Sequence, residues 1–441
     1  MTEGNILGQL VLFALPLLLG NVFQLLYNMV DTIVVGNFVG KEALAAVGST
    51  TMITNMVVFF FNGLSIGAGV VISRLFGAKD YSRMHDAIET TMALTFSLSV
   101  VFTILGVIFV QPLLNLMATP DDVMPDAKTY LRVYMAGISG IMIYNMASGI
   151  LRAVGDTKRP LYFLILTSVL NIALDLIFVL LFGMGIFGVA LATVISQFIS
   201  AILVIALLTS TDDVYKFVWG DLHFDKLLLS QMCRLGLPAA LQATITGLSN
   251  TFVQSYVNHF GSSVMAGWSC YNKLDQFIFL PITSMTHSTT TFVSQNIGAN
   301  KDKRAREGTR IAIWGTAVVV SLIALILIVF SNQANGIFTK DKEVIYYGSL
   351  FIRVNTGFLV ANAINHTLAG AMRGRGDSSG PMLIMLATFV ITRQAYLFIA
   401  THFFANTPVV VALGYPLGWV LCCTIEIMYY RTKHKYWQSE R

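Results

Sequence analysis

Charge is scarce in this sequence. Only 12% of its 441 residues are Asp, Glu, Lys or Arg, against about 25% in soluble domains. Hydrophobic residues make up 55%, and the mean hydropathy is +0.70. One soluble core could not hide that much apolar surface, so lipid must be the solvent for much of the chain. Cysteine is nearly absent as well. Cys233, Cys270, Cys422 and Cys423 show no CxxC or Cys/His spacing, and the adjacent pair reads as small hydrophobes in an apolar run. There is no D-D-x-x-D cluster, no H-E-x-x-H and no G-x-S-x-G, so no enzyme motif and no cofactor is implied. Net charge is only +5, and no basic stripe with interleaved aromatics points to nucleic acid. The opening MTEGNILGQL lacks the basic segment of a cleaved signal, so the first apolar stretch is expected to stay as a helix.

What is present is a series of long apolar stretches. A spanning helix needs about 20 mostly apolar residues. Twelve such stretches are predicted, at 10–35, 47–72, 87–110, 128–150, 161–182, 186–208, 235–257, 264–291, 309–330, 347–371, 382–404 and 409–430. With the N-terminus inside, 20 of the 28 basic residues fall in inside loops or the tail. They include Arg74 and Arg83, Arg152 and Arg159, and the cluster Lys301 to Arg310. That bias places both termini in the cytoplasm. Lys273 and Arg393 are left at membrane depth.

The sequence repeats itself at an offset of 221 residues. Asn37 and Gly40 match Asn258 and Gly261. Ser73, Gly77 and Ala78 match Ser294, Gly298 and Ala299, and Arg132 matches Arg353. Arg152, Gly155, Asp156 and Pro160 match Arg373, Gly376, Asp377 and Pro381. One register spans four regions without a gap. Each half holds six helices, so both enter from the same side. The expected fold is all-α and integral to the membrane, with two six-helix lobes related by a pseudo-two-fold along the membrane normal. Lobes are expected at 1–208 and 235–430, with a cytoplasmic linker at 209–234 and a cytoplasmic tail at 431–441. Parallel repeats of this kind hold a substrate cavity between the halves and work by alternating access. The repeated R-x-x-G-D segment reads first as a tight turn, with Gly in a left-handed conformation and Asp capping the next helix. A cytoplasmic gate is the second reading.

A charge at the bilayer centre costs about 2.5–3.5 kcal/mol even on a gentle scale, so each one present needs a reason. Gln24, Tyr27, Asn28 and Asp31 fall on one stripe of helix 1. Asn171 and Asp175 are four apart on helix 5 and share a face. Thr193 stands about one turn or so into helix 6. Two carboxylates, an amide and a hydroxyl form an all-oxygen set, which suits Na⁺ or a proton shared between two carboxyls. The second half has no counterpart, because Phe252 stands where the repeat would place Asp31. It offers Lys273, Asp275, His287, His366 and Arg393 instead. Lys273 and Asp275 either pair with each other or meet solvent at a helix end, and His287 and His366 read as neutral hydrogen-bonding groups or proton carriers. Arg393 has no acidic neighbour in sequence, so it is expected to face the cavity or to meet a carboxylate from another helix. Asp275, His287 and Arg393 are thus candidate cavity residues.

At these residues the chain resembles the multidrug and toxic compound extrusion (MATE) family, in its DinF-like branch. LPLLLGNVFQLLYNMVDTIVVGNFVG resembles the family's P…Q-x-x-Y-x-x-x-D-x-x-x-x-G pattern. NIALDLIFVLLFGMGIFGVALATVISQ resembles its N-x-x-x-D…G-x-x-G-x-A-x-A-T-x-x-x-Q segment. SRLFGAKD and SQNIGANK resemble its glycine-alanine loops. The likeness runs nearly end to end. It implies that Asp31, Asn171, Asp175 and Thr193 form a cation or proton site, and hold the metal where the ion is Na⁺. It implies ligand contacts at Gln24, Tyr27 and Asn145, and a helix bend at Pro16. Leu176 departs from the family, where Pro is common. The carboxylates that other members carry in the second half are replaced by Thr246 and Asn362. The implied function is antiport: an amphipathic, cationic organic compound leaves in exchange for Na⁺ or H⁺. The alternative within the superfamily is a lipid-linked oligosaccharide flippase, whose basic cavity Arg132, Arg353 and Arg393 could supply. The implied setting is a bacterial or archaeal plasma membrane, with the lipid bilayer and a small-molecule substrate as partners and a monomer as the working unit.

Overall fold

The computed structural model describes residues 1–117 and 119–439, with side chains through residue 433. Of the expected basic tail, the side chain of Lys435 and the whole of Arg441 therefore lie outside what is described. The first six spans are α1 Ile6–Val34 extended by a π turn at Val35–Val39, α2 Lys41–Ala78, α3 Tyr81–Leu116, α4, α5 Lys158–Leu176 with a π turn at Ile177–Leu181, and α6 Gly185–Ser210. α4 is two pieces, Met124–Ala136 and Ile138–Val154, meeting at 45°. The second six are α7 Lys226–Asn258, α8 Ser262–Gly298, α9 Asp302–Val329, α10 Lys342–Gly374, α11 Ser379–Phe404 and α12, which begins at Pro408. Most run past the expected bounds. Hydropathy detects only the part in hydrocarbon, whereas the helix continues into the polar interface.

Among the described residues, nine of these helices are long and apolar enough to cross a membrane, or ten when the bent α4 counts as one. α7 and α8 complete the twelve. α8 falls short because its middle is rich in hydroxyls. Ser284, Thr286, Thr289, Thr290 and Ser294 each donate to a backbone carbonyl four residues earlier. All five are buried or nearly so against protein, not lipid, where polar side chains are tolerated once bonded. Large side chains such as Trp314, Leu322 and Ile108 are instead exposed on the outside, as a lipid-facing surface requires.

The repeat is visible in the geometry. Lys79 and Asn300 both stand at φ 57°, one register apart, and end α2 and the loop after α8. Gly155 and Gly376 take φ 103° and 93°. Asp156 then accepts from the N–H groups of Lys158 and Arg159 at 3.1 Å, and Asp377 accepts from Gly380 N at 2.9 Å. The R-x-x-G-D segments are thus capped turns. Ser73 Oγ donates to Ala153 O and Ser294 Oγ to Gly374 O, which is the same contact in both halves.

The chain divides into two compact units, Pro16–Ala240 and Met1–Leu15 with Leu241–Arg441. The boundaries fall inside α1 and α7, at or near their internal prolines Pro16 and Pro238, and not in the polar stretch at 209–234. In the first unit, Gly67 lies so close to α7 that an added Cβ would stand 2.4 Å from Gly236 N. Small residues here let α2 and the start of α7 approach backbone to backbone. In the second unit, Ser288 Oγ donates to Leu10 O at 2.9 Å and the N-terminal ammonium donates to Gln295, which ties the start of α1 to α8. Trp268 packs edge-on to Phe351 at 4.9 Å at the centre of one apolar cluster.

The linker is shorter than the polar stretch suggested. Asp225 accepts from the N–H groups of Leu227 and Leu228 at 2.8 Å, which starts α7 and makes 226–234 helical. The rest is bound to the first unit. Val218 N donates to the buried Glu89 at 2.9 Å, Asp225 N to Thr90, and Trp219 stacks on Phe96. Hydrogen bonds from Tyr215 and Thr211 hold the exposed Asp213 below the usual carboxylate range.

Candidate cation and substrate site

The two acidic residues of the first half meet. Asp31 comes near the end of α1 and Asp175 near the end of α5, and both helices finish in π turns that pack on each other. An extra residue per turn rotates the side chains that follow it, and such turns recur at functional sites. The one in α5 begins at Ile177, two residues after Asp175. The carboxyls of Asp31 and Asp175 lie close enough to interact.

Asp175 is fully buried, and neither of its carboxyl oxygens receives a hydrogen bond from another donor; Asp31 Oδ1 is equally bare. Asn171, one turn before Asp175, is buried with both amide atoms unbonded. Thr193 on α6 donates its hydroxyl proton to Val189 O at 3.1 Å, so its oxygen lone pairs are directed elsewhere. Asn171 and Thr193 line a small cavity with Tyr27, Ser168, Ser196 and Gln197. A buried carboxylate with no donor cannot stay ionised alone. Two carboxyls in contact can share one proton, or they can ligate a hard cation with the Asn171 and Thr193 oxygens.

The remaining cavity candidates separate. Tyr27 is buried and bonds Gln24, so these two extend the polar stripe above Asp31. Asn28 does not join them. It is exposed, because one residue along a helix turns the side chain about 100° away. Asn145 is half-buried, and its carbonyl accepts from Ser65 Oγ at 3.1 Å. Pro16 lies within a continuous α1.

In the second half, Lys273 and Asp275 form no ion pair. Lys273 is exposed and lies over the Phe338 ring, and Asp275 is half-buried beside Tyr271 OH at 3.5 Å. Residues two apart on a helix face opposite ways. His287 sits half-buried in the hydroxyl-rich middle of α8, and His366 meets the edge of Phe279. For Arg393, one of the two expected arrangements is absent. It meets no carboxylate among the described residues. Its guanidinium donates to Ser249 Oγ at 2.7 Å and Asn250 Oδ1 at 2.9 Å, and lies 4.6 Å from the Tyr415 ring centre. Neutral oxygens and an aromatic face take the carboxylate's place, and Nε is left without an acceptor. Arg132 and Arg353 are both exposed, and Arg353 donates to Ser331.

A model of the MatE family matches residues 16–177 and again residues 238–396. The chain belongs to the MatE family, a family of membrane transporters. The double match coincides with the repeat. Among MatE relatives, the Probable multidrug resistance protein YoeA of Bacillus subtilis is 31% identical over 95% of this chain and 92% of its own length. The Multidrug export protein MepA of Staphylococcus aureus is 23% identical over 91% of this chain and 88% of its own. A solved structure of an outward-facing multidrug resistance MATE family transporter superposes with a TM-score of 0.92 at 24% identity, covering 98% of this chain and 96% of that one. A MATE in the bent conformation gives 0.93 at 23% identity, covering 99% and 97%. These likenesses carry the fold: twelve helices in two lobes.

Some ionisable residues of this MatE chain escaped the sequence reading. Glu89 in α3 and Glu426 in α12 are each fully buried, and Arg373 is nearly so. Arg373 belongs to the repeated R-x-x-G-D segment, whose turn chemistry gives no sign that its arginine is buried. Glu426 sits alone in CCTIEIMYY. The rule that an intramembrane charge needs a reason would have singled it out.

Proposed function

We propose that this chain is a secondary antiporter that exports amphipathic, cationic organic compounds in exchange for Na⁺ or H⁺. The observation that carries the reading is the carboxyl pair of half-buried Asp31 and fully buried Asp175, with Asp31 Oδ1 and both Asp175 oxygens bare, beside Asn171 and Thr193. The names of the relatives, a multidrug resistance protein and a multidrug export protein, support drug export. A cation entering the pair cancels negative charge in the first half. That weakens the hold on a cationic substrate along the Gln24 and Tyr27 stripe, so the two compete. Coupling then follows from the difference in affinity between two access states. The same reading places the chain in a bacterial or archaeal plasma membrane with cytoplasmic termini, acting as a monomer of the DinF-like branch. An anionic lipid-linked sugar fits an acidic pair poorly.

The test is efflux of a cationic dye from vesicles holding the purified protein, with pH and sodium gradients imposed separately. One gradient drives efflux in the wild type. Asp31→Asn and Asp175→Asn each bring it to the protein-free rate while the protein is still inserted. Full transport by either variant removes the site from the mechanism.

A further inference from the structure

The second half contains a buried carboxyl that the proposed antiport does not use. Glu426 lies on α12, with no exposed surface and with neither carboxyl oxygen receiving a hydrogen bond. The cation in its electrostatic reach is Arg373 at the end of α10. Arg373 is itself buried and points elsewhere: its Nη2 donates to Gln242 Oε1 on α7 at 2.9 Å, and its Nε has no acceptor. Arg373 and Glu426 are not hydrogen-bonded to each other. Other groups around Glu426 are few. Cys422, one turn earlier on α12, brings its thiol beside the carboxyl, and Cys423 lies near. From α11, Thr388 meets Cys422, while Arg393 is directed to Tyr415 and Ser249. His366 on α10 lies within reach of Arg373. Tyr429 is bonded to Asp377.

We propose that Glu426 is a proton-binding site of the second half, and that Arg373 is the positioning group that receives the carboxylate when the proton leaves. A carboxylate sealed from water, with only a weakly donating thiol beside it, is too costly to persist, so Glu426 holds a proton in this arrangement. When the O–H bond breaks and the proton passes to water, the carboxylate needs an N–H donor. The free Nε–H of Arg373 supplies one, and the Gln242 contact is the one given up. The ligand is a proton and not a metal ion. Sodium requires several oxygens, whereas the Arg373 guanidinium in reach of Glu426 repels cations. Among the described residues, no cation acts on the first-half pair in this way.

Infrared difference spectra between acid and alkaline pH test this on the purified, lipid-reconstituted protein without substrate or gradient, so failure of the antiport reading leaves it untouched. The wild type is expected to show a protonated-carboxyl band that survives Asp31→Asn and Asp175→Asn, is lost in Glu426→Gln, and moves in frequency in Glu426→Asp. Adding sodium at fixed pH leaves that band in place. A Glu426→Gln spectrum identical to the wild type overturns the proposal, as does displacement of the Glu426 band by sodium. If Glu426→Gln fails to insert, an unshifted band in Glu426→Asp overturns it equally.

Discussion

Lys79 and Asn300 share one backbone conformation, φ 57°, and are the only non-glycine residues with positive φ among those described. They stand one repeat apart, in the turns between the second and third helices of each half. The duplication therefore preserved a strained turn while the side chain changed. A left-handed residue costs about 1–2 kcal/mol unless it is Gly, and less for Asn.

Lys79→Gly should be neutral or stabilising, since relief of strain offsets the extra chain entropy. Lys79→Val should cost about 1–2 kcal/mol, because a β-branched residue tolerates positive φ worst. Thermal unfolding in detergent, with Lys303→Val as the exposed helical control, measures it. Equal costs at Lys79 and Lys303 would mean the turn is unstrained.

The oxygens around the carboxyl pair should be separable from it. Thr193→Val keeps volume and removes one neutral ligand, a loss of about 1.4 kcal/mol, or about tenfold in apparent ion affinity. Maximal efflux at saturating ion should be nearly unchanged. Asn171→Leu should act in the same direction. Ion titration of dye efflux reads both, and an unchanged half-saturation for both variants would place the ion elsewhere.

Arg393 should behave as a structural cation. Arg393→Ala removes two charge-assisted hydrogen bonds and a ring contact, a loss of about 2–4 kcal/mol. Tyr415→Leu, which removes the aromatic face alone, should cost less. Detergent melting curves report both. If Arg393→Ala melts like the wild type but fails in transport, the residue belongs to the substrate path.

Glu89 should hold the linker down. It is fully buried and accepts from Val218 N. Glu89→Ala leaves that N–H without its acceptor and should open 211–224 to limited proteolysis. Glu89→Gln, which keeps an acceptor oxygen, should stay resistant. Equal cleavage of wild type and Glu89→Ala would show that Trp219 and Thr90 suffice.

Much of this was legible in the sequence for local reasons. Hydropathy over about 20 residues marks a span wherever its partners lie. Spacings of three and four placed Asn171 with Asp175 and Tyr27 with Asp31, because helical geometry is fixed. The turn at Gly155 and Asp156 could be read from residue chemistry alone. The unit boundary could not. Pro16 and Pro238 lie in unbroken helices, and the packing partners of each helix segment are a matter of neighbours distant in sequence.

The sequence by itself therefore determined the twelve helices, their duplication and the set of polar residues carried into the membrane. Tertiary structure decided which of those residues meet. Asp31 found Asp175, Arg393 found neutral oxygens and a ring, and Arg373 chose Gln242 while Glu426 stayed bare. The physical reason is that hydrophobicity and helical period act along the chain. The fate of a buried charge depends on what faces it across a helix contact.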